Sequence, residues 1–203
     1  MTTIAELLPA GFADKVMSAQ STFRSVMDAM AGPGSVQRVA AAVGAPRPMM
    51  PGTAAIALTL FDHDTPIWLD AEMSTPEVVR WLKFHSGAPV IPDPSISSFA
   101  LIANATAIPD LSRFALGSNE FPDRSTTLIM QVESLRRGAS YQLRGPGIEG
   151  AALLQAVLEP KDLFVRLAVN ETILPRGIDV VLVSGEEIAA IPRTTRLVGQ
   201  GGR

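Results

Sequence analysis

Apolar residues run almost without a break from Ile178 to Val183 and again from Ile188 to Ile191, with Ser184-Gly185 between them. Two short apolar runs joined by a glycine turn predict a buried β-hairpin. Pro192 ends the second run, because a proline cannot donate to a strand ladder. The hairpin is bracketed by polar chemistry. Arg176 stands one residue ahead of Gly177 at its start, and Arg193-Thr194-Thr195-Arg196 follows Pro192 at its end.

The rest of the chain alternates between helical and strand periodicities. Asp14 is placed to N-cap a helix running to Met30, with Val16, Phe23, Val26, Met27 and Met30 assigned to its buried face and Gly32-Pro33-Gly34 as its stop. Residues 36 to 43 read as an edge strand, and residues 53 to 61 as a helix apolar almost all round and therefore buried. Ile67-Trp68-Leu69 reads as a strand. Ser74-Thr75-Pro76-Glu77 then opens a helix that ends near His85. Residues 99 to 103 and 126 to 132 read as strands, the latter with Tyr141-Gln142-Leu143 as its expected hairpin partner. A further helix is expected over 160 to 170, and the Gly-rich tail from about 198 to 203 is expected to fray. Interleaved strands and helices favour an α/β fold, a three-layer α/β/α sandwich with a mixed sheet, in a single domain spanning 1–203.

Composition narrows the function classes. Of 203 residues 47% are apolar and 18% charged, with a mean hydropathy of +0.24. Charged residues or prolines interrupt every apolar stretch before it reaches the roughly 20 residues of a membrane span, so the excess apolar surface is assigned to subunit contacts. The net charge of -3 argues against non-specific nucleic-acid binding. No cysteine is present, which removes disulfides, thiolate nucleophiles and all-Cys metal clusters, and with two histidines no metal site is expected. The start MTTIAELLPAGFADK lacks the basic and apolar regions of a signal peptide, so a cytoplasmic location is expected.

Candidate chemistry concentrates at the ends of the hairpin. Arg176, Arg193 and Arg196 offer guanidinium forks and Thr194 and Thr195 offer hydroxyls, the donors that hold phosphate or carboxylate. The competing reading of the same residues is solvated strand-end charge. Arg24 and His85 are further anion-site candidates, against helix surface and helix-dipole pairing respectively. Asp179, at the start of a buried strand, needs an arginine or backbone amides to satisfy it. Asp62-His63-Asp64 could be a cation site or an acid/base pair, although Asp side chains capping a turn explain it better. Leu143-Arg144-Gly145-Pro146-Gly147-Ile148 matches no phosphate-binding fingerprint and reads as a turn. No P-loop, Asp-rich magnesium motif or nucleophile–base set is present.

Six segments together carry a family resemblance: FRSVMDAMAGPG from Phe23, TLFDHDTPIWL from Thr59, FHSGAP from Phe84, LRGPGI from Leu143, PRGIDVVLV from Pro175 and IPRTTR from Ile191. In this order and spacing they resemble the PhnH family, small subunits of the bacterial carbon–phosphorus lyase system, over roughly residues 12 to 197. The resemblance implies a role in phosphonate catabolism, in a complex that makes a ribose-linked alkylphosphonate triphosphate from ATP and a phosphonate. It implies a homodimer, other carbon–phosphorus lyase subunits as partners, and a fold like a degenerate pyridoxal-phosphate transferase. No cofactor is expected, since none of Lys15, Lys83 and Lys161 stands where a Schiff-base lysine would be activated. Two readings follow. The chain acts mainly by assembly and is not catalytic alone, or it contributes a phosphonate or nucleotide site built on the Arg/Thr cluster.

Overall fold

The structure, a computed structural model, describes residues 8–39, 42–103, 105–159 and 161–201. Its centre is a six-stranded mixed sheet of β1 (Gln37–Arg38), β2 (Ile67–Leu69), β3 (Phe99–Ile102), β4 (Thr127–Gln131), β7 (Asp179–Ser184) and β8 (Glu187–Ile191). The spatial order is β1-β8-β7-β4-β3-β2. Strands β2, β3, β4 and β7 are mutually parallel, β8 runs antiparallel to β7, and the edge strand β1 pairs antiparallel with β8. The central strands are buried on both faces, which is why they read as unbroken apolar runs. The pleat divides them between two cores. Leu101, Ile129, Val181 and Val183 face one side, and Leu128, Met130, Val180 and Leu182 face the other.

Helices α1 (Lys15–Ala31), α2 (Pro51–Leu60) and α3 (Pro76–His85) contribute to the first core. Asp14 caps α1 by accepting from the Met17 N–H at 3.0 Å, and Thr75 caps α3 by accepting from Val78 N–H at 3.2 Å. Helix α2 is buried from Gly52 to Ala57, as its uniform apolarity required. It starts two residues earlier than expected because proline is well tolerated in a first turn. The buried face of α1 differs from the expected one. Thr22, Val26 and Ala29 point inward, whereas Val16, Phe23 and Met27 are exposed. Small side chains at 22 and 29 let α1 pack closely on the Ala-rich α2.

The second core is closed by a separate three-stranded antiparallel sheet, in the order β6-β5-β9, together with α4 (Leu163–Leu167). Strands β5 (Ala139–Arg144) and β6 (Ala152–Ala156) form a hairpin, and β9 (Arg196–Gly201) pairs along the other edge of β5. Three expectations change here. Tyr141–Leu143 does not pair with β4, both of whose edges are taken by parallel neighbours β3 and β7. The tail is a strand through Gly201, because Leu197 pairs opposite buried Leu143, and residues 202 and 203 lie outside the described residues. The helix expected over 160–170 is broken into α4 and α5 (Val169–Ile173), with Pro160 outside the described residues. Of the edge strand expected over 36–43, Gln37–Arg38 is strand while Val36, Val39, Ala42 and Val43 are not, and residues 40 and 41 lie outside the described residues.

Candidate functional site at the amino ends of the central strands

The hairpin β7–β8 is formed as its apolar pattern requires, with Gly185 in the left-handed region at φ +62°. It therefore delivers Asp179, Arg193 and the residues after Arg193 to one place, the amino ends of β4 and β7. There the Arg193 guanidinium is bound on all sides. Its Nε donates to the Asp179 carboxylate at 3.1 and 3.2 Å. Its Nη1 donates to the carbonyls of Pro122 (2.7 Å) and Pro175 (3.3 Å). Its Nη2 donates to Ser125 Oγ (2.6 Å) and to Asp179 Oδ2. A guanidinium has five N–H donors, and each has an acceptor within the chain. The Asp179 carboxylate also accepts the Arg193 backbone N–H at 2.7 Å, the satisfaction that a carboxylate at this strand start requires. Both side chains are nearly buried, 15% and 12% exposed.

A second polar strut stands beside the first. Asn170 of α5 donates from Nδ2 to the Ile178 carbonyl at 2.9 Å and accepts the Ile178 N–H at 3.0 Å, acting as a short stretch of strand edge. Gly177 makes room for it. Its φ is +140°, and a Cβ there would meet Asn170 Oδ1 at 2.6 Å.

The other candidates at this end are less engaged. Arg196 is half-exposed and faces Glu171 with Nε 3.4 Å from Oε2. Thr195 donates its backbone N–H to Pro192, while its Oγ1 is buried without a hydrogen-bond partner. Arg176 is partly buried, and its Nε likewise is buried and unpartnered. Thr194 is partly buried beside Gly145, whose Cβ would come within 2.8 Å of the Thr194 carbonyl oxygen. A cavity of about 250 Å³ opens nearby, lined by Phe164, Leu167, Glu171, Thr195, Arg196 and Leu197 among others. Thus Arg176, Arg193, Thr194, Thr195 and Arg196 share one end of the sheet.

Arg24 and His85 do not join them. Arg24 is exposed on α1. His85, on α3, lies 3.1 Å through Nε2 from the Pro9 carbonyl, which also accepts from Trp81 Nε1 at 2.9 Å. Trp81 and His85 therefore pin residues 9–11 to α3. The Asp62-His63-Asp64 segment takes its capping form. Asp62 Oδ1 accepts from Asp64 N–H (3.0 Å) and Thr65 Oγ1 (2.7 Å), and these bonds hold its carboxyl below the usual range. Among the described residues no three His, Cys, Asp or Glu side chains group as metal ligands would, and no helix is long and apolar enough to cross a membrane.

Open α/β sheets bind ligands at the carboxyl ends of their strands, often on a helix N-terminus. In this chain those positions are occupied by the protein's own polar groups. Gln131, at the end of β4, accepts from the Met50 N–H (2.5 Å) and Thr53 Oγ1 (3.0 Å) and donates to the Pro48 carbonyl (3.0 Å). It thereby caps α2, whose own N-cap residue Met50 supplies no side-chain acceptor. Asp70, after β2, is buried and accepts from Met73 N–H (2.7 Å) and Ala103 N–H (2.9 Å). Ser184, at the end of β7, donates to the Glu133 carbonyl. Sequence reasoning missed Gln131 and Asn170, although an amide inside the apolar run TTLIMQV was a visible signal.

The family model described as "Bacterial phosphonate metabolism protein (PhnH)" matches residues 10–198. The chain is 43% identical over 201 residues to the alpha-D-ribose 1-methylphosphonate 5-triphosphate synthase subunit PhnH of Rhizobium meliloti (strain 1021), covering 97% of this chain and 98% of that one. It is also 35% identical over 82 residues to a putative C-P lyase subunit protein, HtxG, of Stutzerimonas stutzeri, covering 40% of this chain and 42% of that one. A family match over nearly the whole chain, with a full-length relative beside it, makes this chain a member of the PhnH family of bacterial phosphonate metabolism proteins.

Proposed function

We propose that this chain is a subunit of a carbon–phosphorus lyase complex, supporting the formation of a ribose-linked alkylphosphonate triphosphate from ATP and a phosphonate, and that it acts mainly by assembly. The observation that carries the assembly role is the closure of Arg193 on itself: the most conspicuous guanidinium of the hairpin has all five donors bound within the chain. The self-capped carboxyl ends of the sheet support the same reading, since Gln131 fills the α2 N-terminus that a phosphate would use. Its partners are the other subunits of that complex and a second copy of itself. The role carries with it a cytoplasmic location, where ATP is available. A fold related to pyridoxal-phosphate transferases, without their cofactor, is consistent with Lys15, Lys83 and Lys161, all three exposed.

A second reading has its own observation. Arg176 Nε and Thr195 Oγ1 are buried without partners, and Arg196 borders the cavity above Thr195. In this reading Arg176, Thr194, Thr195 and Arg196 hold a phosphonate or nucleotide, and Arg193 positions them.

Calorimetric titration of the purified chain with ATP and with methylphosphonate, at fixed salt, separates the two. The assembly reading expects no heat of binding from the isolated chain. Binding that is lost in Arg196→Ala would establish the second reading instead.

A further inference from the structure

Arg193 fixes more than the hairpin. Its bonds to the Pro122 carbonyl (2.7 Å) and to Ser125 Oγ (2.6 Å) hold the turn between those residues, and its bond to the Pro175 carbonyl (3.3 Å) lays residues 174–175 alongside. Buried Thr126 ties in two further segments, donating from Oγ1 to the Ser97 carbonyl at 2.6 Å and accepting the Ala115 N–H at 3.1 Å. Three of the segments joined in this way turn a large apolar side chain to solvent. Ile96, Phe121 and Leu174 are 64, 44 and 40% exposed. A cavity of about 350 Å³ opens on the same face, walled by Ser95, Leu116, Ser118, Phe121 and Arg124 among others. A hydrogen-bonded face that keeps apolar side chains in water around a cavity has the character of a contact surface.

Arg124 gives this face its charge. Seven arginines form ion pairs with the chain's own carboxylates. Arg124 is exposed and pairs with none of the described residues; its guanidinium lies over the Phe121 ring, 4.0 Å from the centroid. Stacking orients a guanidinium without using its in-plane N–H donors, so the fork is set for a carboxylate before any partner arrives.

From this arrangement we infer that the Phe121–Arg124 turn is the surface through which this chain docks on another subunit of the complex. The occupant is a segment that places an apolar side chain in the cavity and an Asp or Glu on Arg124. The inference rests on the assembly reading above and names its surface. An apolar face with one free cation is complementary to such a segment. A phosphate dianion would instead meet the exposed carboxylates of Glu120 and Asp123 at the same turn. The Arg193 lock then serves assembly directly, because contact side chains that are held in place beforehand lose little freedom on binding.

The test uses the full chain with the other carbon–phosphorus lyase subunits of its host. Arg124→Glu should raise the dissociation constant for those subunits by about tenfold or more. Arg124→Lys should fall between, because an ammonium keeps the charge without the fork. Both should leave the thermal midpoint unchanged, since the Arg124 side chain makes no hydrogen bond within the chain. Lys83→Glu, an equal charge reversal exposed on α3, should leave assembly unaffected. A photoactivated p-benzoylphenylalanine at position 121 should cross-link to another subunit, and changing the acidic residue of the cross-linked segment to Arg should restore the affinity of Arg124→Glu. The cross-link leaves Arg124 intact, so it decides the matter even where a variant fails to fold. Unchanged affinity in Arg124→Glu, or a cross-link confined to a second copy of this chain, overturns the surface and leaves the assembly reading standing. An unmodified chain that joins no other subunit removes both.

Discussion

Arg193 and Asp179 form a nearly buried ion pair that ties the end of the β7–β8 hairpin to its own beginning, 14 positions earlier in the chain. Through the same guanidinium the hairpin is joined to Pro122, Ser125 and Pro175. One side chain thus locks four segments at the amino ends of the central strands.

Removing one member leaves the other charge buried and unpaired, which costs about 3–5 kcal/mol. For a chain of this length each kcal/mol moves the thermal midpoint by roughly 2–4 °C. Arg193→Ala should therefore lower the midpoint by roughly 10 °C, and Arg193→Lys should recover little of it, because an ammonium cannot reproduce the planar fork. A thermal scan showing both variants as stable as the unmodified chain would remove Arg193 from the structural role.

Gln131 is the acceptor for the first turn of α2. Gln131→Ala removes the acceptor of the Met50 N–H and of the buried Thr53 hydroxyl, a loss of about 1–3 kcal/mol. Gln131→Glu keeps the acceptor but loses the bond to Pro48, so it should fall between the two. Urea titration monitored by circular dichroism gives the ranking.

Thr22 is fully buried on α1 and its hydroxyl has no hydrogen-bond partner. Replacing an unsatisfied hydroxyl by a methyl group of the same shape removes a desolvation cost without opening a cavity. Thr22→Val should stabilise the chain by about 1 kcal/mol in chemical denaturation, whereas Thr22→Ala should not.

The pH dependence has a definite sign. Asp62, Asp93 and Asp110 each accept hydrogen bonds from a nearby hydroxyl and backbone N–H of their own turn, and each carboxyl is held below its ordinary 3.8. A carboxyl depressed in the folded state contributes stability that is present above its unfolded value and lost as pH falls through the folded one. Stability should therefore be flat near neutrality and fall below about pH 4. In the variant with all three changed to Asn the slope should be shallower, measured as the urea midpoint against pH.

Elements fixed by local rules were legible in the sequence. Asp14 and Thr75 cap the helices they were expected to cap, and the 178–191 hairpin forms because an apolar run broken by Ser184-Gly185 has few alternatives. What depends on distant partners was not legible. The outward face of α1 read as core because an exposed apolar stripe and a core stripe have the same period. Strand β9 was missed because its pairing with β5 is set more than 50 residues away. The gathering of Arg176, Arg193, Thr194, Thr195 and Arg196 at one end of the sheet follows from the hairpin, but no sequence rule says that Pro122 and Ser125 would consume the donors of Arg193.

The central claim, that this subunit supports the synthase by assembly, is tested most directly by reconstituting the complex of a host's carbon–phosphorus lyase subunits with Arg176→Ala/Arg196→Ala in place of the unmodified chain. Both arginines lie outside the Arg193 lock, so the variant should fold and co-purify with its partners. The account predicts that the reconstituted complex then forms the ribose-linked phosphonate triphosphate at an unchanged rate. Intact assembly with a rate lowered tenfold or more would contradict it and place this chain in the reaction itself.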